Sequence, residues 1–446
     1  MNAMSNDKPP SFYTSCLASI IDEENAIYPW ENLELSQRQH IQQAIAQSAA
    51  PEAIASVNSP SCVVYPRTQA QLAAVIAEAH RNNWRVLPCG KSSKINWGGL
   101  IKGVDIVVST ERINQLIEHA VGDLTVTVEA GMQFSHLQAI LAKSRQFLAL
   151  DPCKPELATI GGIVATGDTN SLRQRYGSVR DQLLGMTFVR ADGQIAKAGG
   201  RVVKNVAGYD LMKLFTGSYS TLGIISQVTF RVYPLPEASG TVVLTGKAEA
   251  ISQVAATLRN SALTPTQADL LSTQLVSQLG LNTGLGLIVR FQSISESVKE
   301  QSNRLLAVGE QLGLVGTIYH EEDEGYLWQR LRELMDNSVT DSAITCKIGV
   351  LPTAAVEILH QSEMGLIHNA SGLGWLQCES LSQVLKIRDR LQNNKGFLSV
   401  LTAPNSVKQE IDVWGYTGNA LQVMRQIKAQ FDSKNILSPG RFVGGI

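Results

Sequence analysis

The sequence predicts an α+β protein of two or three packed subdomains, and three observations predict it. The chain has 446 residues, beyond the size at which a single hydrophobic core keeps growing. A short β-rich run, CVVYP from Cys62, leads into a helical stretch and then a second strand, WRVLP. Further on, alternating β patterns and helical runs suit sheet and helix layers packed together.

The elements follow in order. Residues 1–54 read as an N-terminal appendage, because WENLELSQRQHIQQAIAQSAA has helical character without a strong apolar stripe. In TQAQLAAVIAEAHRNN, Leu72, Val75, Ile76 and Ala79 fall at helical spacing behind a Thr68 cap. The alternating runs VDIVVST and DLTVTVEAG read as strands and FSHLQAILAKS as a helix, while TIGGIVATGDTNSLRQRYG lacks strong periodicity. MTFVRADGQIAKAGG carries a hairpin turn signal at ADGQ, and the strand IISQVTFRV follows later. Pro234 and Pro236 mark a domain exit, giving a first domain over 55–236. Residues 237–446 form a second α+β domain, in which GTVVLTG and GLGLIVRFQ are strands and SVKEQSNRLLAVGEQLG is a helix.

Composition narrows the function classes. Hydrophobic residues make up 44% and charged residues 17%, with 38 Lys plus Arg against 39 Asp plus Glu. No basic excess exists to neutralise phosphates, so a nucleic-acid partner is not expected. The six cysteines (Cys16, Cys62, Cys89, Cys153, Cys346 and Cys378) form no C-x-x-C pair and no zinc or iron–sulfur spacing, and they read as reduced thiols of a cytoplasmic protein. MNAMSNDKPPSFYTS shows no basic stretch followed by a long apolar run, and no later stretch approaches ~20 apolar residues, so neither secretion nor membrane insertion is expected.

Four stretches carry candidate chemistry. Pro88-Cys89-Gly90-Lys91-Ser92-Ser93-Lys94 follows a strand and offers close backbone approach, hydroxyls and two ammonium groups, which suit a pyrophosphate; a solvated turn has the same composition. Pro152 to Gly167 places Thr159 and the Gly161-Gly162 pair where a backbone can pass close to a flat or phosphorylated ligand, although glycine-rich surface loops are common. Arg175 to Asp181 includes Gly177 and Ser178, and a surface loop with internal ion pairs reads the same way. Gly199 to Leu211 sets Lys204 and Asn205 beside Gly208 and Tyr209 inside an apolar run, where buried polar groups need partners.

Taken in order, these motifs, with KNVAGYDLMKLFTGS and TLGII after them and FDSKNILSPGRF at the end, resemble the FAD-binding domain of the vanillyl-alcohol oxidase/p-cresol methylhydroxylase (PCMH) superfamily. Within it the likeness is to the small FAD-binding subunit of bacterial glycolate oxidase (glycolate dehydrogenase). The resemblance implies a two-lobed PCMH-type domain that holds FAD between its lobes, so no G-x-G-x-x-G fingerprint is expected. It implies that Pro88, Cys89, Gly90, Lys91, Ser92, Ser93 and Lys94 wrap the pyrophosphate. Pro152, Thr159, Ile160, Gly161, Gly162, Thr166 and Gly167 would line pyrophosphate and flavin ring, with Gly177 and Ser178 nearby and Gly223, Ile224 and Ile225 on the adenosine half.

Departures from the pattern set further expectations. Members with covalent flavin carry His in the first loop or Cys in the glycine-rich stretch; Lys91-Ser92-Ser93 and Ile160-Gly161-Gly162 stand there instead, which implies non-covalent FAD. Gly217-Ser218-Tyr219-Ser220-Thr221-Leu222-Gly223 replaces G-S-E-G-T-L-G, so contacts near Tyr219 differ from the family's. Catalytic members carry H-x-G-D-G-N-x-H and E-H-G; here His368 stands alone in IHNASGLGW and reads as a core histidine, leaving no catalytic residue assigned and no metal site expected. The acidic run Glu321 to Glu324 reads as a solvated face.

The resemblance implies an FAD-binding subunit of a glycolate (D-2-hydroxyacid) dehydrogenase complex, partnered by a homologous catalytic flavoprotein subunit and an iron–sulfur subunit. Such a complex could hold the chain at the inner face of a membrane. Two alternatives stand beside it: a self-sufficient FAD-dependent D-2-hydroxyacid dehydrogenase of the D-lactate type, and a non-catalytic assembly subunit with structural FAD.

Overall fold

In a computed structural model, residues 9–21, 26–46, 59–200, 208–336 and 343–446 are described. Three main sheets organise them. The first has four strands in the order Ile27–Pro29, Cys62–Val64, Ile106–Ser109, Val86–Cys89. Cys62–Val64 and Val86–Cys89 both run parallel to Ile106–Ser109. The parallel geometry requires a crossover, and helix Gln69–Asn82 supplies it. Leu72, Val75, Ile76 and Ala79 are buried on one face, the Thr68 side chain accepts from the Gln71 N–H, and Asn83 ends the helix in the left-handed region.

The segment expected as an appendage is built into this lobe. Ile27–Pro29 pairs antiparallel with Cys62–Val64, and Tyr13 and Leu17 of helix Pro10–Ala18 join the core around Trp84. Helix Leu35–Gln42, within the stretch that lacks a strong apolar stripe, buries only Ile41.

A five-stranded antiparallel sheet forms the second lobe, in the order Leu116–Ala120, Thr125–Glu129, Ile224–Arg231, Leu183–Val189, Ile195–Gly199. Its last two strands are the expected hairpin, closed by Gly193 at φ +86°. The glycine-rich stretch is not irregular: Ile160–Thr166 is a helix, with Thr159 accepting from the Gly162 N–H at its start and Gly167 in the left-handed region at its end. Burial of Ile160, Ile163 and Val164 against this lobe's core overrides the poor helix propensity of two adjacent glycines.

The C-terminal domain is an eight-stranded antiparallel sheet in the order Val315–Tyr319, Ala238–Gly246, Leu285–Ser293, Gln267–Leu271, Met364–His368, Leu373–Cys378, Ile344–Gly349, Phe397–Thr402. Helices such as Ala248–Arg259, Ser295–Gln311 and Leu381–Asn393 bury their apolar faces in its core. The chain then returns to the first lobe. The Val86 N–H donates to Ile436 O at 2.7 Å and the Ser438 N–H to Val86 O at 2.9 Å, so the closing segment extends the edge of the first sheet. No helix among the described residues is long and apolar enough to cross a membrane.

Candidate functional site

The first strand–loop motif and the glycine-rich helix face each other across a cleft of about 650 Å³, part of it open to solvent. Close approach explains two glycines. A Cβ on Gly90 would lie 2.2 Å from Thr159 Oγ1, and one on Gly161 would lie 2.7 Å from Ala130 Cβ, where the Gly161 N–H donates to Ala130 O at 2.7 Å. The loop after Gly90 is pinned from several sides: Thr110 Oγ1 donates to Cys89 O, Ser109 Oγ donates to Gly90 O, and the His40 ring bonds Ser92 O at 2.8 Å.

The cleft brings together Pro88, Cys89, Gly90, Lys91, Ser92, Ser93 and Lys94 with Thr159, Gly161, Gly162 and Thr166, and with Ile224 and Ile225. The remaining expected residues sit elsewhere. Ile160 is buried beneath the cleft, Gly167 closes the helix, and Gly223 packs against Phe215 and Val189 O. Pro152 lines a second cavity. Gly177 and Ser178 start the short helix Val179–Gln182, where the Ser178 hydroxyl and N–H bond Asp181, so their polarity serves a cap. The Lys204–Asn205 pair lies outside the described residues.

Sequence reasoning missed Arg441, Tyr219, Ser220, Thr110, Ile95 and Ala165 as lining residues. Arg441 is the most informative. Its Nη2 donates to Lys94 O and Ile95 O, its Nε is buried without a partner, and no carboxylate among the described residues pairs with it. Burial lowers its pKa to about 10. Tyr219 and Ser220 both hold positive φ, which turns the tyrosine ring into the cleft, edge-on to Trp414 at 4.9 Å. A buried guanidinium with a free donor, the Lys91 ammonium and the hydroxyls of Ser92, Ser93 and Thr166 fit the phosphates of a dinucleotide. FAD therefore fits the residues present through its phosphate-bearing part.

A thin partition separates this cleft from a second cavity. Lys94 Nζ donates to Asp168 Oδ2 at 2.6 Å, with both side chains buried, and the same oxygen accepts from the Cys153 N–H at 3.0 Å. Trp97, beneath Lys94, packs against Trp375 at 5.6 Å. Lys94 lines the first cavity, whereas Cys153 and Trp375 line the second.

The second cavity, about 1240 Å³ with the solvent at its mouth included, lies between the second lobe and the eight-stranded sheet. Strand register sets its polar floor: Gln267 is opposite Arg290, Asp269 opposite His368, and Leu366 opposite Trp375, and directly paired residues share a face. His368 Nδ1 bonds Asp269 Oδ1 at 2.6 Å, and Ser171 Oγ donates to that oxygen at 2.8 Å. The acceptor Asp269 keeps the proton on Nδ1 and leaves Nε2 with its lone pair. His368 is thus no isolated core residue, although only 5% exposed. Its partner comes from another strand 99 positions away, which no local motif announces.

Two more groups shape this cavity. Asp151 accepts from the Leu172 and Asn170 N–H groups, and burial pushes its carboxyl up to about 6. Arg290 is held by Glu324, whose buried carboxylate also accepts from Ser239 and Thr241. Glu324 therefore leaves the solvated face expected of its acidic run.

Residues 60–199 match the family model described as an FAD binding domain. The chain is 24% identical over 432 residues to glycolate oxidase subunit GlcD of Bacillus subtilis, covering 86% of this chain and 88% of that one. It is 36% identical over 154 residues to glycolate oxidase subunit GlcE of Escherichia coli, covering 34% of this chain and 43% of that one. A mitochondrial cytochrome-type D-lactate dehydrogenase of Arabidopsis thaliana is 31% identical over 184 residues, 41% of this chain and 32% of its own length. Among solved structures, p-cresol methylhydroxylase with substrate bound superposes with a TM-score of 0.73 at 15% identity, covering 97% of this chain and 96% of that one. That likeness shows the fold alone.

Proposed function

We propose that this chain, a protein of the p-cresol methylhydroxylase fold with an FAD binding domain at residues 60–199, is an FAD-dependent oxidoreductase that converts 2-hydroxy acids to 2-oxo acids. The observation that carries the reading is the Asp269–His368 pair in a cavity one ion pair away from the nucleotide cleft. The relatives' names, two glycolate oxidase subunits and a D-lactate dehydrogenase, support the substrate class.

Oxidation of a 2-hydroxy acid removes a hydride from C2 and a proton from its hydroxyl. FAD, when bound, supplies the two-electron acceptor. His368 Nε2 takes the hydroxyl proton, and Asp269, fixed by Ser171, orients the ring and stabilises the imidazolium that forms. Arg332, an exposed cation on the lining of the cavity, holds the substrate carboxylate. The Lys94–Asp168 partition and Trp375 keep bulk water from the reacting carbon.

Non-covalent FAD belongs to the same proposal: the thiol lining the cleft, Cys89, is pushed up to about 11 by burial and is a poor nucleophile. Likeness to two glycolate oxidase subunits also supports assembly into a complex of several subunits; a homologous flavoprotein and an iron–sulfur subunit that accepts the electrons complete the proposal. Acid precipitation of the FAD-loaded chain, followed by anaerobic addition of a 2-hydroxy acid to a second sample, tests the reading. Flavin freed to the supernatant and bleached by substrate in the chain alone is the expected result. Bleaching only with partner subunits present would move the chemistry to a partner.

A further inference from the structure

We infer that the second cavity selects 2-hydroxy acids bearing a bulky apolar side chain, aryl or branched alkyl, over two- and three-carbon acids. The inference rests on the proposed oxidation of 2-hydroxy acids and names the substrate class within it.

The cavity has a polar end and a long apolar wall. Of its space about 350 Å³ can be filled by a ligand, which falls within the range of small-molecule sites and exceeds the needs of a two-carbon acid. The wall is the face of one helix. Along Glu321–Asp336, Trp328, Leu331 and Met335 recur at intervals of three and four, which places them on the same side, and Arg332 sits among them. Leu366 and Trp375 of the sheet extend the surface towards His368.

This wall is pre-formed. Trp328 Nε1 donates to the buried Thr241 hydroxyl at 2.9 Å, and the Arg290 guanidinium lies 5.7 Å from its ring centre, so the indole is fixed from two sides. Its helix is in turn anchored by Glu324, 2% exposed and bonded to Ser239, Thr241 and Arg290. The wall also belongs to the substrate rather than the cofactor. Trp328, Leu331 and Met335 come from the C-terminal domain, whereas apart from Arg441 every residue lining the nucleotide cleft comes from the two N-terminal lobes. A small acid bound at His368 and Arg332 would leave this apolar surface in contact with water. A phenyl or isobutyl group would cover it.

Apolar pockets discriminate by about 10- to 200-fold per methylene, so a phenyl-sized difference predicts a preference on the order of 100-fold or more. The test uses the full FAD-loaded chain under anaerobic single turnover with glycolate and with both enantiomers of lactate, 2-hydroxy-4-methylpentanoate and 3-phenyllactate. Calorimetry with glyoxylate and phenylpyruvate adds a reading independent of flavin reduction. The expected result is a second-order rate constant of flavin reduction for one enantiomer of 3-phenyllactate at least about 100-fold above that of glycolate, with phenylpyruvate binding at least about tenfold more tightly than glyoxylate. Met335→Trp, which fills the wall, is expected to lower that preference at least about tenfold.

Equal or better turnover and binding of the two-carbon acids would overturn the inference while leaving 2-hydroxyacid oxidation standing. Selective binding of phenylpyruvate without flavin reduction by any acid would support the cavity's preference and remove the redox reading. Absence of both reduction and binding would remove both.

Discussion

His368 and Asp269, ninety-nine residues apart in the chain, share a 2.6 Å hydrogen bond at the floor of the second cavity. Because Asp269 is almost fully buried and accepts from Ser171 as well, the imidazole is held in one tautomer and one orientation. His368→Ala is expected to slow flavin reduction by about 10²- to 10⁴-fold, the range for loss of a general base. FAD content, measured by absorbance of the denatured supernatant, is expected to match the wild type, since His368 lines the second cavity and not the cleft that suits the phosphates.

Asp151 sets a pH dependence on binding. Its carboxyl, pushed up to about 6 by burial, is neutral below that pH and charged above it. The new negative charge, facing His368 and Asp269 across the cavity, disfavours an anionic ligand. The Kd of a 2-oxo acid is therefore expected to rise as pH increases through about 6, and the rise to flatten in Asp151→Asn. Calorimetric titration on either side of that pH checks both.

Gly161→Asp places a side chain where a Cβ would already meet Ala130 at 2.7 Å, and adds negative charge beside the phosphate-type loop. Purified Gly161→Asp is expected to carry no FAD. Gly90→Asp, whose Cβ would meet Thr159 Oγ1 at 2.2 Å, is expected to do the same. Normal flavin content in both would show that the cleft is not the cofactor site.

The closing segment is stapled to the nucleotide lobe through Lys428. Its ammonium donates to Asp432 Oδ2 at 2.6 Å, Thr221 O at 2.8 Å and Leu437 O at 2.9 Å, while Asp432 accepts from the Ile436 and Leu437 N–H groups. Lys428→Met leaves that carboxylate buried without its cation and is expected to cost about 3–5 kcal/mol. Urea denaturation followed by circular dichroism measures the loss.

How much of this was legible in the sequence depends on the reach of each interaction. Helix Gln69–Asn82 and the hairpin at Gly193 are encoded by local period and turn chemistry, and both were readable. The phosphate-type loop was readable as a glycine, serine and lysine cluster because one segment contributes all of it. Helix Ile160–Thr166 was not, because its stability comes from burial of Ile160, Ile163 and Val164 rather than from propensity. Arg441 meets Ile95 across 346 positions, and His368 meets Asp269 across 99. Pairings of that range arise from topology, so the sequence left His368 looking solitary. The stretch before residue 55 reads as an appendage for a related reason: a three-residue strand such as Ile27–Pro29 has no period of its own and is defined by its neighbour.

The most direct test of the account compares anaerobic reduction of the FAD-loaded chain by a panel of 2-hydroxy acids in the wild type and in His368→Gln. The account predicts that the wild type alone bleaches and that His368→Gln, with equal flavin content, bleaches at least about 100-fold more slowly. Equal rates in the two proteins, or a wild-type flavin that no 2-hydroxy acid reduces, would contradict it.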